Sequence, residues 1–455
     1  MSIPNETHRK DQDAEPVQDV MYQKHQKIYV RGVQGFFARW RIIAVFALLG
    51  LFYGLPWISW GQRQALLFDL PARKFYLFGL TLWPQDFFLV TMLMAILAFS
   101  LFFFTTLGGR LWCGYACPQT VWTEVFIWID RLFEGDRAQA IKLDKSSWTK
   151  EKILRKLGKH AALLLFSLYT GYTFVGYFTP IHDLTRSLVT FSTGPWETFW
   201  VFFYGLATYL NAGFMREQVC IYMCPYARFQ SAMFDDDTLI ISYDDKRGEP
   251  RGARRKGSNA KGTDLGDCVD CTLCVQVCPV GIDIRNGLQY QCIACAACLD
   301  VCDQVMEKIN SPKGLVRYST QNAMEGKPTR VLRPRVWVYA ALLSILIIGM
   351  TGVVMQRIPV KVDIIRDRMS LYTETADGLL ENSFMIRVIN MDDFSHTFKL
   401  GVEGMDGLTI VSSQEVTVPA GQVGEFPTRI QADPAKLPKP NNPIQFTLQA
   451  LDQPA

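Results

Sequence analysis

The chain has 455 residues, room for two or three domains, and a formal charge of only +4, which gives no ground for a nucleic-acid partner. Hydrophobic residues make up 49% of it and are gathered in five apolar blocks between strongly charged stretches. That pattern excludes a simple soluble enzyme and points to a membrane protein with soluble modules.

Residues 1–40 are polar and lack the short apolar run and small-residue site of a cleaved signal peptide. Lys24, Lys27, Arg31, Arg39 and Arg41 crowd the start of the first apolar block. The blocks run Ile42 to Trp60, Phe87 to Leu107, Ala161 to Phe178, Phe199 to Met215 and Val336 to Met355. Each is read as a membrane-spanning helix at 1.5 Å per residue. The third and fourth contain Gly171, Gly176, Gly205 and Asn211, and are expected to pack on other helices. Loop 108–160 carries ten Lys and Arg, loop 61–86 three, and loop 179–198 one. By the positive-inside rule the N-terminus and loop 108–160 are cytoplasmic. Arg357, Lys361, Arg366 and Arg368 oppose that rule locally after the fifth block.

The first four blocks form a repeat of two hairpins with the same ending. One ends in Arg110-Leu-Trp-Cys113-Gly-Tyr-Ala-Cys117-Pro118, the other in Arg216-Glu-Gln-Val-Cys220-Ile-Tyr-Met-Cys224-Pro225. If the chain stays helical there, each i, i+4 cysteine pair shares one face. Soft thiolates select Cu(I), zinc or iron–sulfur, and Met223 offers a thioether. Two matched pairs argue against four packing cysteines; a copper site, a third cluster and a reversible dithiol stay open. The five histidines are scattered. His182, in the loop between the third and fourth blocks, is read as a surface residue before it is read as a ligand.

Residues 234–266 read as a basic linker, a solvated tether near anionic headgroups. Then come Cys268-Val-Asp-Cys271-Thr-Leu-Cys274-Val-Gln-Val-Cys278-Pro279 and Cys292-Ile-Ala-Cys295-Ala-Ala-Cys298-Leu-Asp-Val-Cys302. This is C-x2-C-x2-C-x3-C twice, the spacing of two 4Fe–4S clusters. Structural zinc favours separated pairs, and disulfides between such close neighbours are strained. In two-cluster proteins the fourth cysteine of each run serves the other cluster. Cys268, Cys271, Cys274 and Cys302 therefore form one expected set, and Cys278, Cys292, Cys295 and Cys298 the other. Asp303 stands where a second proline is usual. Oxygen-labile thiolate sites belong in a reducing compartment.

After Met355 the pattern turns to short β-rich runs separated by turn residues, roughly seven strands and an antiparallel sandwich. The predicted fold class is a multi-domain membrane protein. It has a cytoplasmic N-terminal segment (1–40), a four-helix membrane domain (41–233), the linker (234–266) and a ferredoxin-like module (267–334). A fifth membrane helix (335–356) and a periplasmic immunoglobulin-like domain (358–455) follow.

The chain resembles the CcoG/FixG/RdxA family of cytochrome c oxidase accessory proteins. The likeness runs from about residue 25 to the C-terminus. Leu70-Pro-Ala-Arg-Lys-Phe-Tyr-Leu-Phe-Gly-Leu-Thr-Leu-Trp-Pro-Gln-Asp86, the two Cys-x3-Cys-Pro motifs, the basic run Lys246 to Gly252, the double cysteine run and Gly314-Leu-Val-Arg-Tyr-Ser-Thr320 carry it. The resemblance implies an inner-membrane protein with two 4Fe–4S clusters that reduces Cu(II) to Cu(I) for assembly of a high-affinity haem–copper oxidase. It links Cys113, Cys117, Cys220 and Cys224 to copper as the reducing site. The partners to be expected are copper ions, a cytoplasmic electron donor, a copper chaperone or exporter and oxidase assembly factors; a homodimer is allowed. A quinol-linked electron relay and a redox-sensing assembly scaffold are the alternatives.

Overall fold

The computed structural model describes residues 27–61, 63–253, 265–368, 372–392, 394–405, 407–437, 439 and 441–452. The expectations for residues 1–26, including Lys24, and for the basic stretch 254–264 lie outside the described residues.

Three helices, not five, are long and apolar enough to cross a membrane among the described residues: Phe36–Trp57, Pro84–Gly108 and Pro334–Met355. Apolar side chains cover these helices on all sides, and Phe46, Phe104 and Ile348 stand exposed, as lipid-facing residues do. The second and third pack on each other, with Phe102 against Tyr339 and Met92 beside Gly349. The remaining two apolar blocks are helical but differ from the expectation. Ala161 to Phe178 belongs to the helix Lys150–Val175, whose first turns carry Lys150, Lys152, Arg155, Lys156 and Lys159. The fourth block is α-helical only over Pro195–Thr208 and then widens into a π-turn, Tyr209–Met215. A window of apolar residues counts composition; it registers neither a charged start nor a change of helix type. These two helices pack together, as their glycines suggested. A Cβ at Gly171 would stand 2.3 Å from the Val201 carbonyl oxygen and 2.7 Å from the Gly205 nitrogen.

Part of the stretch read as a linker belongs to the cysteine-rich module. Strand Ile240–Tyr243 pairs antiparallel with Val316–Ser319, one on each side of the cysteine runs in sequence. Arg247, from the basic run, holds Asp267 at 2.5 Å and the Lys313 carbonyl at 3.0 Å. It closes the module and does not float near headgroups. The module core contains Ile241, Tyr243, Ile284, Leu299, Met306, Leu315 and Val316 together with Cys268 and Cys274.

The C-terminal sandwich has eight strands among the described residues. Leu380–Asn390 is central to a five-stranded sheet between Val360–Arg366 and Val423–Ala432. His396–Glu403 is central to a three-stranded sheet between Glu415–Val418 and Gln445–Ala450. Alternate residues of both sheets, Ile386, Val388, Phe398, Leu400, Val416 and Val418, fill the space between them.

Loop 61–86 forms a small three-stranded sheet, Leu66–Asp69, Lys74–Leu77 and Leu80–Leu82, that meets the sandwich. Trp83 packs with Ile389 and Met391, and Lys74 donates to the Gly421 carbonyl at 2.8 Å. Buried Asp86, at the foot of the second span, pairs with Arg357 at 2.5 Å and lies 3.8 Å from Lys361. Asp86→Ala would leave Arg357 without its carboxylate. The expected cost is about 3 kcal/mol, visible as a lower unfolding temperature and faster proteolysis between residues 355 and 372.

Candidate redox site

The two cysteine runs fold alike. Asp270 and Thr272 of the first have φ of 52° and 54°; Ala294 and Ala296 of the second have 54° and 57°. None is glycine, so each left-handed turn costs on the order of 1 kcal/mol and is held by its surroundings. These turns bend the chain around two apolar cavities. Cys268, Cys271, Cys274 and Cys302 line one, beside Tyr243 and Leu315. Cys278, Cys292, Cys295 and Cys298 line the other, beside Ile241 and Ile284, and Cys274 touches it too. Each cavity thus takes three cysteines of its set from one run and the fourth from the other.

Four thiols around a dry pocket, twice over, fit a pair of cubanes. Among the described residues no three His, Cys, Asp or Glu side chains stand at the spacing of a single metal ion. One tetrahedral ion would hold sulfurs about 3.8 Å apart on its 2.3 Å bonds; a four-iron cube keeps its ligands further apart. Burial pushes the thiols up, Cys274 and Cys292 to about 11 and Cys278 and Cys302 to about 12. The Asp303 departure has a plain cause. Cys302 lies inside the helix Ala297–Lys308, which a proline would break, and Asp303 accepts a hydrogen bond from the Gly314 amide at 2.8 Å.

The membrane-surface cysteines do not share single helical faces. Cys113 sits in the short helix Leu111–Tyr115, whereas Cys117 is extended and precedes the helix Pro118–Glu134. Cys220 lies in a π-turn, Val219–Met223, and Cys224 is extended before the helix Pro225–Met233. Proline opens each following helix, and the residue before proline is driven out of the α region. The repeat survives in this other form: Cys117 and Cys224 occupy equivalent positions at two helix starts.

The two motifs interlock. Gln119, two residues after Cys117, donates to the carbonyls of Asn211 and Arg216 at 2.9 and 3.1 Å. Buried Gln230, six residues after Cys224, accepts from the Cys113 thiol at 3.3 Å. These crossed contacts bring the two motifs side by side as one group of cysteines, although among the described residues no three of the thiols stand at the spacing of a single metal ion. Burial raises Cys113 to about 12, Cys220 to about 11, and Cys117 as well. Met223 is 55% exposed while all four cysteines are half-buried, so we leave its thioether out of this group. His182 stands edge-on to Trp57 at 5.4 Å, away from any cysteine in sequence and contact.

The thiol group rests on the second cysteine run. Cys113 packs with Val277, Ile293, Cys295 and Ala297. A Cβ at Gly114 would stand 2.7 Å from the Ile293 carbonyl oxygen and 2.9 Å from that of Ala294, between Cys292 and Cys295. The Arg110 guanidinium donates to the carbonyls of Tyr290 and Ala227. Tyr318 donates to the Ala294 carbonyl at 2.5 Å and lies 3.4 Å from the Tyr115 hydroxyl. Sequence reasoning missed Arg110, Gly114 and Tyr318. The only hint was the glycine and arginine inside the first motif.

Three family descriptions match the sequence: a 4Fe-4S dicluster domain over residues 215–321, a 4Fe-4S binding domain over 89–135, and the IG-like fold at the C-terminal of FixG over 350–455. The chain is 37% identical over 442 residues to the nitrogen fixation protein FixG of Rhizobium meliloti, covering 89% of this chain and 84% of that one. It is 38% identical to protein RdxA of Cereibacter sphaeroides, covering 88% and 87%. The ferredoxin-type protein NapH of Escherichia coli is 22% identical over 285 residues, covering 58% and 87%. A crystal structure of a FixG-related protein from Vibrio parahaemolyticus matches 21% of this chain and 84% of that chain, at 31% identity and a TM-score of 0.20.

Gly114→Val should force the Ile293–Ala294 backbone away from the membrane motif. The expected outcome is loss of about four irons of eight per chain, with the EPR signal of one reduced cluster lost and the other kept.

Proposed function

Since this chain belongs to the FixG/RdxA family of membrane-associated iron–sulfur electron-transfer proteins, we propose that it reduces Cu(II) to Cu(I) at Cys113, Cys117, Cys220 and Cys224 for assembly of a haem–copper cytochrome c oxidase. The observation that carries the reading is the packing of Cys113 and Gly114 directly on the Cys292–Cys295 loop. Cys268, Cys271, Cys274 and Cys302 would hold one 4Fe–4S cluster, and Cys278, Cys292, Cys295 and Cys298 the other. Such clusters supply single electrons, the stoichiometry of copper reduction, and no acid or base is needed.

The protein's own residues set the direction. Cys271 is exposed, so its cysteine set suits an external electron donor. The second run is walled by Arg110, Gly114 and Tyr318, so it suits the membrane thiols. The half-buried thiols are soft, match Cu(I) better than Cu(II), and so favour the reduced ion. The reading includes an inner-membrane location, with the cysteine module in the cytoplasm and the sandwich in the periplasm. A cytoplasmic donor, a copper chaperone or exporter and oxidase assembly factors complete it.

A second reading has a specific support. The 4Fe-4S binding domain match spans Cys113 and Cys117 but neither ferredoxin run. A third cluster on the four membrane-surface thiols is the corresponding alternative.

One pair of measurements separates them. The double variant Cys117→Ala, Cys224→Ala should lose Cu(II) reduction and keep about eight irons per chain. A wild-type iron content of about twelve, falling to eight in the variant, favours the third cluster. A wild-type reduction rate in the variant would sink the copper site.

The raised thiols give a pH test. They are protonated at neutral pH, so binding Cu(I) must release their protons. Affinity measured against a competing chelator should rise from pH 6.5 to 7.5, by about tenfold for each thiol that ionises.

A further inference from the structure

A cavity of about 60 Å³ lies between the two cysteine systems, room for roughly four waters or one oxyanion group. Cys220 stands in one wall and Cys295 in the opposite module. The N-terminal strap at Arg31, the helix after the first motif and the turn at Arg216 close the remainder.

Its lining is electropositive: Arg31, Arg41, Arg131 and Arg216 against Glu124 and Glu217. Two of these arginines are already engaged. Arg41 donates to the Cys295 carbonyl, and Arg216 pairs with Asp130 at 2.5 Å. Among the described residues neither Arg31 nor Arg131 has a carboxylate at ion-pair distance. The Arg131 Nε is buried with no hydrogen-bond partner. A buried donor left in this state beside a water-sized space is a position for an acceptor to fill. Two unpaired guanidiniums at one cavity suit an oxyanion.

We propose that this cavity binds the carboxylate end of a small anionic metal chelate and so presents its Cu(II) to Cys220. The inference rests on the copper reading above and adds the form in which copper arrives. Oxygen donors suit Cu(II) and thiolates suit Cu(I). The balance is simple: Cu(II) gains one electron from the reduced iron–sulfur protein, its bonds to carboxylate oxygen break, and a copper–sulfur bond forms. The Cys220 thiol proton goes to water.

The test uses full-length, anaerobically reconstituted protein in detergent with two substrates, Cu(II)–citrate and the cationic Cu(II)–tris(2-aminoethyl)amine. Arg131→Gln should raise the KM for the citrate chelate about tenfold relative to that for the amine chelate, and Arg131→Lys should recover part of it. Citrate without copper should slow iodoacetamide labelling of Cys220, read by mass spectrometry, in the wild type but not in Arg131→Gln. Unchanged iron content and EPR in the variants would establish that they fold. Equal KM ratios and equal labelling in wild type and Arg131→Gln would overturn the site. If the wild type reduces neither chelate, the copper reading fails, and Arg131-dependent protection by citrate alone still decides whether an anion binds here.

Discussion

Two backbone amides at the start of the first membrane helix depend on a carboxylate from the cysteine module. Asp300, between Cys298 and Cys302, accepts hydrogen bonds from the Phe37 and Ala38 amides at 3.1 and 2.7 Å. That helix has no side-chain cap of its own and no acidic residue in its first turn. Asp300 is 5% exposed, so its charge is met by the helix dipole and those amides, not by water. Gly35 makes the approach feasible, since a Cβ there would fall 2.3 Å from the carboxylate carbon. One turn further on, Arg41 donates to the Cys295 carbonyl. Module and membrane helix cannot part without uncapping the helix. The cradle around Cys295 is thereby fixed against the start of the first long apolar helix.

The repeat of the two hairpins is built to the same end. Proline at the first position of each following helix turns the chain sharply after Cys117 and Cys224. Gln119 and Gln230 then reach across to the opposite motif. This crossing brings the four half-buried cysteines of both motifs to one region without a long loop. It also gives the module two unequal ends. One cysteine set faces solvent at Cys271, and the other is packed under the membrane motifs.

The parts of this architecture legible in sequence are those whose physics is local. Thiolate spacing around a cube is set within about ten residues, so the two iron–sulfur runs were readable. Short β-rich runs between turn residues likewise announced the sandwich strands. The misjudged parts depend on context. The i, i+4 geometry of the cysteine pairs fails because Pro118 and Pro225 forbid it, a signal present in the motif itself. The third and fourth blocks are not long uninterrupted apolar α-helices, because the apolar window leaves out the lysines at the head of Lys150–Val175 and does not show the π-turn after Thr208. Asp300 could not have been found: its partners lie more than 260 residues away, and an aspartate between two cysteines reads as a solvated helix face.

The outer end of the chain bears on orientation. Basic residues after the last span normally mark a cytoplasmic side, and by count Arg357 and Lys361 vote that way. Both face buried Asp86, at 2.5 and 3.8 Å. A cation neutralised by a buried carboxylate does not present free charge to the membrane field, so it carries little weight in the positive-inside count. One carboxylate neutralises one cation, so Arg357 is discounted and Lys361 is not, against the ten lysines and arginines of loop 108–160. At the same end of the chain the small sheet Leu66–Leu82 and Trp83 receive the sandwich.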